Sequence, residues 1–348
     1  MSKYFEKSFE NGPLIVFVHF GKSESRTLIP YAKFAKYLHS QSQLVLITDE
    51  ISRWNDFPGK VLEHRNFDLN KYSTGFSTLY QQRKIAKGYW FYTIERIFAL
   101  KILPNYFNTA RPIIHFESDV LSFIDKTMLD ILLINTSITS VPRYNDNLGI
   151  ASILFSKSLD QLIYDLNNLE LLLKSQISWL TDMELLGLAL QQKILGELPT
   201  KFGTAFQIDE SQYLLFDGAA IGQYLFGRDA VHNNGRIITG YQNPFSPINY
   251  ANININCEKY YIELIESSSS KIFRVGNLHI HSKIPFSDWG DFLIHFNKSN
   301  NAIKLKKNLI LYSGIKNTIH TDNGNTLARV FRFFTSKKYK SFLKIFRS

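Results

Sequence analysis

Short unbroken apolar runs alternate with longer amphipathic stretches along the first half of the chain. "PLIVFVHF" (13–20) and "QLVLITDE" (43–50) are continuous apolar runs of the kind found in strands buried on both faces. Between them, "TLIPYAKFAKYLHSQ" has helical spacing, with Pro30 near the first turn. "KVLEHRNF" (60–67) is a candidate third strand, and residues 76–103 form a predicted long helix, with Trp90, Ile94, Ile97 and Phe98 at helical spacing. "PIIHFESD" is the next strand, and Ser122 with Asp125 has the spacing of a capping box for "FIDKTMLDILL". "SITSVPRY" and "GIASILFS" predict short strands around an Asn-Asp-Asn turn, followed by helices over 157–174 and 182–196. This β-α-β rhythm predicts an α/β sheet with crossover helices.

Residues 200–256 are rich in Gly, Asn and Pro, yet too long and too patterned for a linker; a functional excursion is expected there. Composition then narrows the class. The chain has 348 residues, 45% hydrophobic and 20% charged, with 28 Phe and 18 Tyr, which is soluble-globular usage with ample core material. Cys257 is the single cysteine, so no intramolecular disulfide forms, as suits a reducing compartment. "MSKYFEKSFENGP" lacks the apolar centre of a signal peptide, and no run approaches the roughly 18 apolar residues of a membrane span. A cytoplasmic protein is expected. The net charge of +10 is concentrated at the end: "ARVFRFFTSKKYKSFLKIFRS" carries seven cations and no acid, and +10 less seven leaves +3 for the rest. A domain over 1–285 and an appendage over 286–348 are expected.

Three clusters carry candidate chemistry. Glu117 and Asp119 stand two apart at the end of an apolar strand, so on a strand both would face one side, with Ser118 turned away. Ligands of open α/β sheets collect beyond the carboxyl ends of the strands, and two acids there suit Mn²⁺ or Mg²⁺; helix capping or pairing with a cation would also account for them. "VGNLHIHSKIP" sets His279, His281 and Lys283 at spacing two, so on a strand two imidazoles and an ammonium would line one face. One histidine would complete a metal site and Lys283 would neutralise a diphosphate. In "SWLTDMELLGLALQ", Thr181 and Glu184 form a T-x-x-E capping box, which leaves Asp182 available either to the helix dipole or as a general base. "FGKS" (20–23) is not a phosphate loop, because Val16 stands where its first glycine is required.

These residues, in this order, resemble the metal-dependent glycosyltransferases of the GT-A fold, in which a D-x-D or variant motif ends a central strand. "HFESDVL" is similar to that motif, with Glu117 in the first acidic position. "DGAAIGQYLFGRD" (217–229) and "NLHIHSK" (277–283) resemble the D-x-A-A-x-G-Q-Y-L and N-L-H-I-H-S-K stretches of predicted glycosyltransferases of bacteria and large viruses. Phe226 replaces a glycine of that group and Ala230 a proline. The resemblance implies an α/β fold with a GT-A (Rossmann-like) mixed sheet flanked by helices, followed here by a basic helical appendage. It implies that Asp119 binds the metal, Glu117 the metal or the ribose, His279 or His281 the metal, and Lys283 a phosphate. His19, Phe20 and Gly21 with Thr48 and Asp49 resemble the nucleotide-base pocket, Ser118 belongs to the same donor site, and Arg96 resembles an arginine that faces the nucleotide. Asp217 and Gln223 are expected at a sugar, although Asp217 serves equally well as a helix cap.

The expected activity is transfer of a sugar from a nucleotide-sugar donor to a hydroxyl of a surface glycan or lipid-linked saccharide, with Asp182 as base and inversion at the anomeric carbon. The tail interleaves Phe331, Phe333, Phe334, Phe342 and Phe346 with its cations, a pattern expected to lie on anionic lipid. No nucleic-acid partner is expected, and the enzyme is placed on the inner face of the membrane. Two alternatives remain: a nucleotidyltransferase, for which "VHFGKSESR" is a poor phosphate loop, and an inactive glycan-binding relative tethered by the tail.

Overall fold

The apolar runs do form the centre of the structure, a computed structural model that describes residues 12–21, 25–64, 89–176, 180–227, 251–256, 261–281, 284–286 and 288–299. Strand β1 (Leu14–His19) is buried over Leu14–Val18. Strand β2 (Gln43–Thr48) pairs with it in parallel, His19 opposite Thr48. Helix α1 (Leu28–Leu38) makes the crossover between them, burying Leu28, Tyr31, Ala32 and Ala35 on one stripe. β3 (Lys60–Glu63) extends the parallel set beyond β2, and β4 (Ile113–Phe116) joins β1 on its other side.

The rest of this sheet reverses direction. β8 (Ile153–Ser156) is antiparallel to β4 and β6 (Ser140–Asn145) antiparallel to β8; β7 (Leu148–Gly149) and β9 (Gly196–Leu198) pair with β6. The order β3-β2-β1-β4-β8-β6-β7, with β9 on β6, is thus a mixed sheet. Around it lie α2 (Tyr89–Phe98), α3 (Lys126–Asn135), α4 (Leu159–Ser175) and α5 (Asp182–Gln191). Leu162, Leu166, Leu169 and Leu173 of α4 join Ile94 and Ile97 of α2 in one core with β1 and β2. Chain order turns from β3-β2-β1 to β4 at the β1/β4 boundary, and such a switch point opens a crevice beyond the carboxyl ends of the two strands.

A second sheet, in the order β10-β11-β14-β13-β12, gathers β10 (Phe206–Gln207), β11 (Gln212–Leu215), β12 (Ala251–Asn256), β13 (Tyr261–Glu266) and β14 (Ile272–Val275). Between β11 and β12 runs α6 (Ile221–Phe226), so part of the predicted excursion is regular structure. A two-stranded ribbon pairs β5 (Val120–Ser122) with β15 (Asn277–His279). The chain divides into two compact units, Met1–Asn297 and Lys298–Ser348; almost all of the second, including the basic tail, lies outside the described residues, as do Cys257 and Ala230. Among the described residues no helix is long and apolar enough to cross a membrane.

Several local expectations change. Helix α2 tightens after Phe98 into a 3₁₀ stretch, Ala99–Asn105, with Pro104 inside it, and positions 76–88 lie outside the described residues. Asp125 alone caps α3 by accepting the N–H of Met128, whereas Ser122 is spent in β5. Helix α5 stops at Gln191, because Lys193 takes a positive φ of 58° and the chain turns into β9. The Thr181–Glu184 capping box is present with both of its hydrogen bonds.

Phe226, the departure from glycine, is fully buried. Its ring lies 5.2 Å from Phe286 and 5.7 Å from Phe292. Phe286 in turn stacks on Tyr31 of α1, and Phe292, in helix α7 (289–299), packs on Phe123 after β5. The aromatic cluster fastens α6 to α1 and to the end of the ribbon. Phe226→Ala is expected to cost about 3–5 kcal/mol, the usual range for emptying a buried phenylalanine site. Urea denaturation of the full chain, followed by circular dichroism, measures it; a loss below ~1 kcal/mol would mean the cluster does not hold these elements.

Candidate metal centre

Strand β4 ends at Phe116 because the chain turns there. The Glu117 N–H donates to the Ser152 carbonyl at 3.4 Å, and the Val120 N–H donates back to the Glu117 carbonyl at 3.1 Å. Glu117 and Asp119 therefore sit in a tight turn rather than on a strand, which corrects the reason they were expected to point together. They converge because the turn leads into β5, which pairs with β15 so that His279 lies opposite Val120. The Ile280 N–H closes the ribbon on the Asp119 carbonyl at 2.8 Å. Nε2 of His279 is then 3.4 Å from Oδ1 of Asp119 and 3.7 Å from Oε2 of Glu117. One ligand atom from each of the three residues lies within 4.8 Å of the others. Two carboxylates and an imidazole at this spacing are a hard oxygen and nitrogen donor set that suits a divalent ion such as Mn²⁺ or Mg²⁺.

Arg96, on α2, donates from Nη2 to Oε1 of Glu117 at 2.8 Å. Asp182, at the start of α5, is buried and accepts from Thr93, and it acts electrostatically on Glu117. Burial raises the carboxyl pKa of Asp182, with Arg96 opposing. Burial also raises Glu117, against the pull of Arg96 and His279 and with the push of Asp119 and Asp182. His279 goes the other way from most buried histidines. Burial alone would lower it, but Asp119 and then Glu117 hold its proton, and its pKa rises to about 9. Tyr31 reaches the same neighbourhood; burial and then the Asp119 charge push its phenol up, and its hydroxyl donates to the Ile284 carbonyl at 2.6 Å.

The described parts of the two motif stretches, 217–227 and 277–281, meet behind His279. Asp217 is fully buried and both of its carboxylate oxygens are engaged by backbone. Oδ1 accepts the N–H groups of Ala220 (2.7 Å) and Ile221 (2.8 Å), while Oδ2 accepts those of Gly222 (2.8 Å) and His279 (3.0 Å). Oδ1 of Asn277 accepts the Asp217 N–H at 3.0 Å. Gly222 fits because a Cβ there would stand 2.1 Å from the His279 carbonyl oxygen. Asn277 and Gly222 lie inside the motifs but were not singled out as site residues; their signal was available in the matched stretches themselves. Thr93 and Tyr31 gave no local signal, since both read as core positions of their helices.

The remaining expected residues are placed as follows. The Gly21 N–H, in a backbone of φ +95°, donates to Oδ2 of Asp49 at 3.0 Å, which joins the loops after β1 and β2. Thr48 is buried and accepts from Trp54 Nε1 at 3.1 Å, and the His19 ring meets the same indole edge-on at 5.1 Å. Phe20 lies 5.8 Å from His64, whose Nε2 is 2.8 Å from Oε1 of the buried Glu95; this pair beyond β3 was not anticipated. The Ser118 carbonyl accepts the Thr27 hydroxyl at 2.5 Å. Strand β15 stops at His279, so His281 lies in a turn rather than on the strand, with its ring 4.5 Å from that of His279. Lys283 lies outside the described residues. Gln223 is buried, and its side-chain oxygen finds no hydrogen-bond partner among the described residues.

No protein-family model and no curated protein matches the chain. Solved structures similar to it include glycosyltransferases. The apo form of the glycosyltransferase GlyE of Streptococcus pneumoniae TIGR4 is 12% identical over 54% of this chain and 45% of its own, at a TM-score of 0.36. Mouse xyloside xylosyltransferase 1 is 12% identical over 54% and 85% of the two chains, at 0.34. The galactosyltransferase LgtC, in complex with donor and acceptor sugar analogs, is 14% identical over 50% and 70%, at 0.33. The chain spans a little under half the length of GlyE. At scores below 0.5 these likenesses carry no argument, and the mixed α/β fold rests on the strand order and register of the chain itself.

The His279 shift fixes two opposite pH dependences. Its folded pKa of about 9 exceeds the ordinary 6.5, so in metal-free protein its contribution is complete below pH 6.5 and is lost as pH rises through about 9. The melting temperature in EDTA is expected to fall across that window, and His279→Asn to flatten the fall. Mn²⁺ must displace the same proton, so its affinity is expected to rise up to about tenfold per pH unit below pH 9. Titration calorimetry at pH 6, 7 and 8 reads this; an affinity independent of pH would remove His279 from the donor set.

Proposed function

We propose that the chain is a metal-assisted glycosyltransferase that moves a sugar from a nucleotide-sugar donor to a hydroxyl of a surface glycan or lipid-linked saccharide. The observation that carries this reading is the convergence of Glu117, Asp119 and His279, one ligand atom from each within 4.8 Å of the others, just past the carboxyl end of β4. Asp119 and His279 would hold Mn²⁺ or Mg²⁺ directly, and Glu117, already paired with Arg96, would complete the protein donors. The bound ion would neutralise the diphosphate leaving group. Arg96 adds a fixed positive charge beside the same acids, placed to stabilise negative charge that develops on the leaving oxygen.

Phe20, His19, Gly21, Thr48 and Asp49 would form the wall against the nucleotide base and ribose. Support comes from the bond that ties the two loops together, Gly21 N–H to Asp49. Ser118, held by Thr27, would present the donor side of the acidic turn. Lys283 would meet a phosphate, His281 would stand next to the metal ligand, and Gln223 would approach the sugar. Asp182 would take the proton of the attacking hydroxyl, giving inversion; burial moves its carboxyl toward the working pH of a general base. We place donor chemistry in the first compact unit. The basic, phenylalanine-rich tail would hold the enzyme on anionic lipid at the inner face of the membrane.

A thermal-shift screen of UDP-, GDP-, CMP- and dTDP-sugars with Mn²⁺ tests the reading. One nucleotide class is expected to stabilise the protein, by about 2.7 kcal/mol at a hundredfold excess over Kd, and only with metal. Asp119→Ala is expected to abolish the shift and donor turnover together. Metal-independent binding, or no turnover of any nucleotide sugar, would overturn the enzyme reading in favour of a glycan-binding relative. Asp182→Asn is expected to lower kcat about 10²–10⁴-fold, the range for loss of a general base. Product NMR should then show an inverted anomeric centre in the wild-type reaction, and retention would exclude Asp182 as base.

A further inference from the structure

A histidine that binds a metal through one ring nitrogen is ordinarily oriented by a hydrogen bond from the other. His279 breaks that pattern. Its Nε2 faces Asp119 and Glu117, while its buried Nδ1 has no hydrogen-bond partner among the described residues. With no partner at Nδ1, what holds His279 in place from behind is its backbone, and that backbone is held on both sides. β5 holds it through the antiparallel pairing, and Oδ2 of Asp217 holds its N–H at 3.0 Å.

We infer that Asp217 is a positioning residue for the metal site, acting through the His279 main chain rather than through a sugar. All four of its hydrogen bonds go to backbone N–H groups, and its solvent exposure is 0%, so the carboxylate presents no face to a ligand. The division of its oxygens gives the role its logic. Oδ1 caps the start of α6 at Ala220 and Ile221; Oδ2 joins that helix, at Gly222, to His279. Asn277, two residues before His279, returns a bond to the Asp217 N–H and registers the two segments. The lack of room for any side chain at Gly222 keeps α6 against the His279 carbonyl. The stretch around 217 thus acts as a clamp on one side of a site whose acids lie near 117.

This inference rests on the metal-site reading, and Mn²⁺ binding to the whole chain, measured by titration calorimetry or by the loss of free-ion EPR signal, separates the two. Asp217→Asn keeps Oδ1, and with it a cap as good as aspartate, but sets an NH₂ against the N–H groups of Gly222 and His279. The Kd for Mn²⁺ is expected to weaken about 10–100-fold, the scale of lost outer-shell partners at metal sites. Ser158→Ala removes the cap of the remote helix α4, where Ser158 accepts the Gln161 N–H, and is expected to lower the melting temperature while leaving the Kd unchanged. Asn277→Ser frees the Asp217 backbone with a smaller perturbation and is expected to weaken Mn²⁺ several-fold; it carries the test should Asp217→Asn not fold. Wild-type affinity in a folded Asp217→Asn or Asn277→Ser variant overturns the clamp alone. A wild-type protein that binds no Mn²⁺ overturns the metal site and the clamp with it.

Discussion

The antiparallel pairing of Val120–Ser122 with Asn277–His279 is the contact on which the site depends. The two segments are far apart along the chain, and without their pairing the acids at 117 and 119 would face the crevice with no imidazole opposite. The backbone bonds are directional, so the ribbon fixes register as well as proximity: one residue's slip would turn His279 away from Asp119. Everything that packs on the ribbon can be read as support for that register. Asp217 and Asn277 hold it from the side of α6, and the aromatic rings of Phe123, Phe226, Phe286 and Phe292 close over its far end.

Electrostatics explains why such a site would take a cation. Among the described residues, Arg96 acts on Glu117 and Asp182, and His279, beside Asp119, Glu117 and Asp217, adds a second positive charge only by keeping a proton. With a neutral imidazole, the carboxylates outnumber the guanidinium among the described residues of this largely buried setting, and burial makes uncompensated charge costly. Protons are one answer: burial raises the pKa of Glu117, and the neighbouring carboxylates raise that of His279 against its burial. A divalent ion would answer with charge of the right magnitude, released protons and directed bonds. Under the proposed function, protons and the ion would compete for the same atoms, with pH setting the balance between them.

Phe226 shows how the end of α6 takes up bulk. A large ring where the resembling proteins have glycine would be excluded if the space around it were filled. Here Phe286 and Phe292 lie around it at ring separations of 5.2 and 5.7 Å, so the ring adds to the packing of α6. Gly222, four residues earlier, has no such latitude, because the His279 carbonyl occupies the place a Cβ would take. One helix thus carries a position that accepts bulk and a position that forbids it.

The apolar runs 13–20 and 43–50 declared the central strands because a strand buried on both faces must be apolar throughout, and that demand is local. Amphipathic spacing declared α1 and α4 for the same reason, and T-x-x-E declared the start of α5. The acids and the histidine were legible as chemistry, and their meeting was implied by the resemblance but not by periodicity: the expected strand alternation through Glu117 and Asp119 is absent, and the strand through His279 ends before His281. Periodicity describes neighbours along the chain, whereas a turn after β4 and a pairing across more than a hundred and fifty residues decide which side chains meet. Asp217 illustrates the difference most directly. Its sequence position allowed a helix cap or a sugar contact, and only the packing of α6 on β15 brought the His279 N–H, a partner distant in sequence, to the oxygen that also accepts from Gly222.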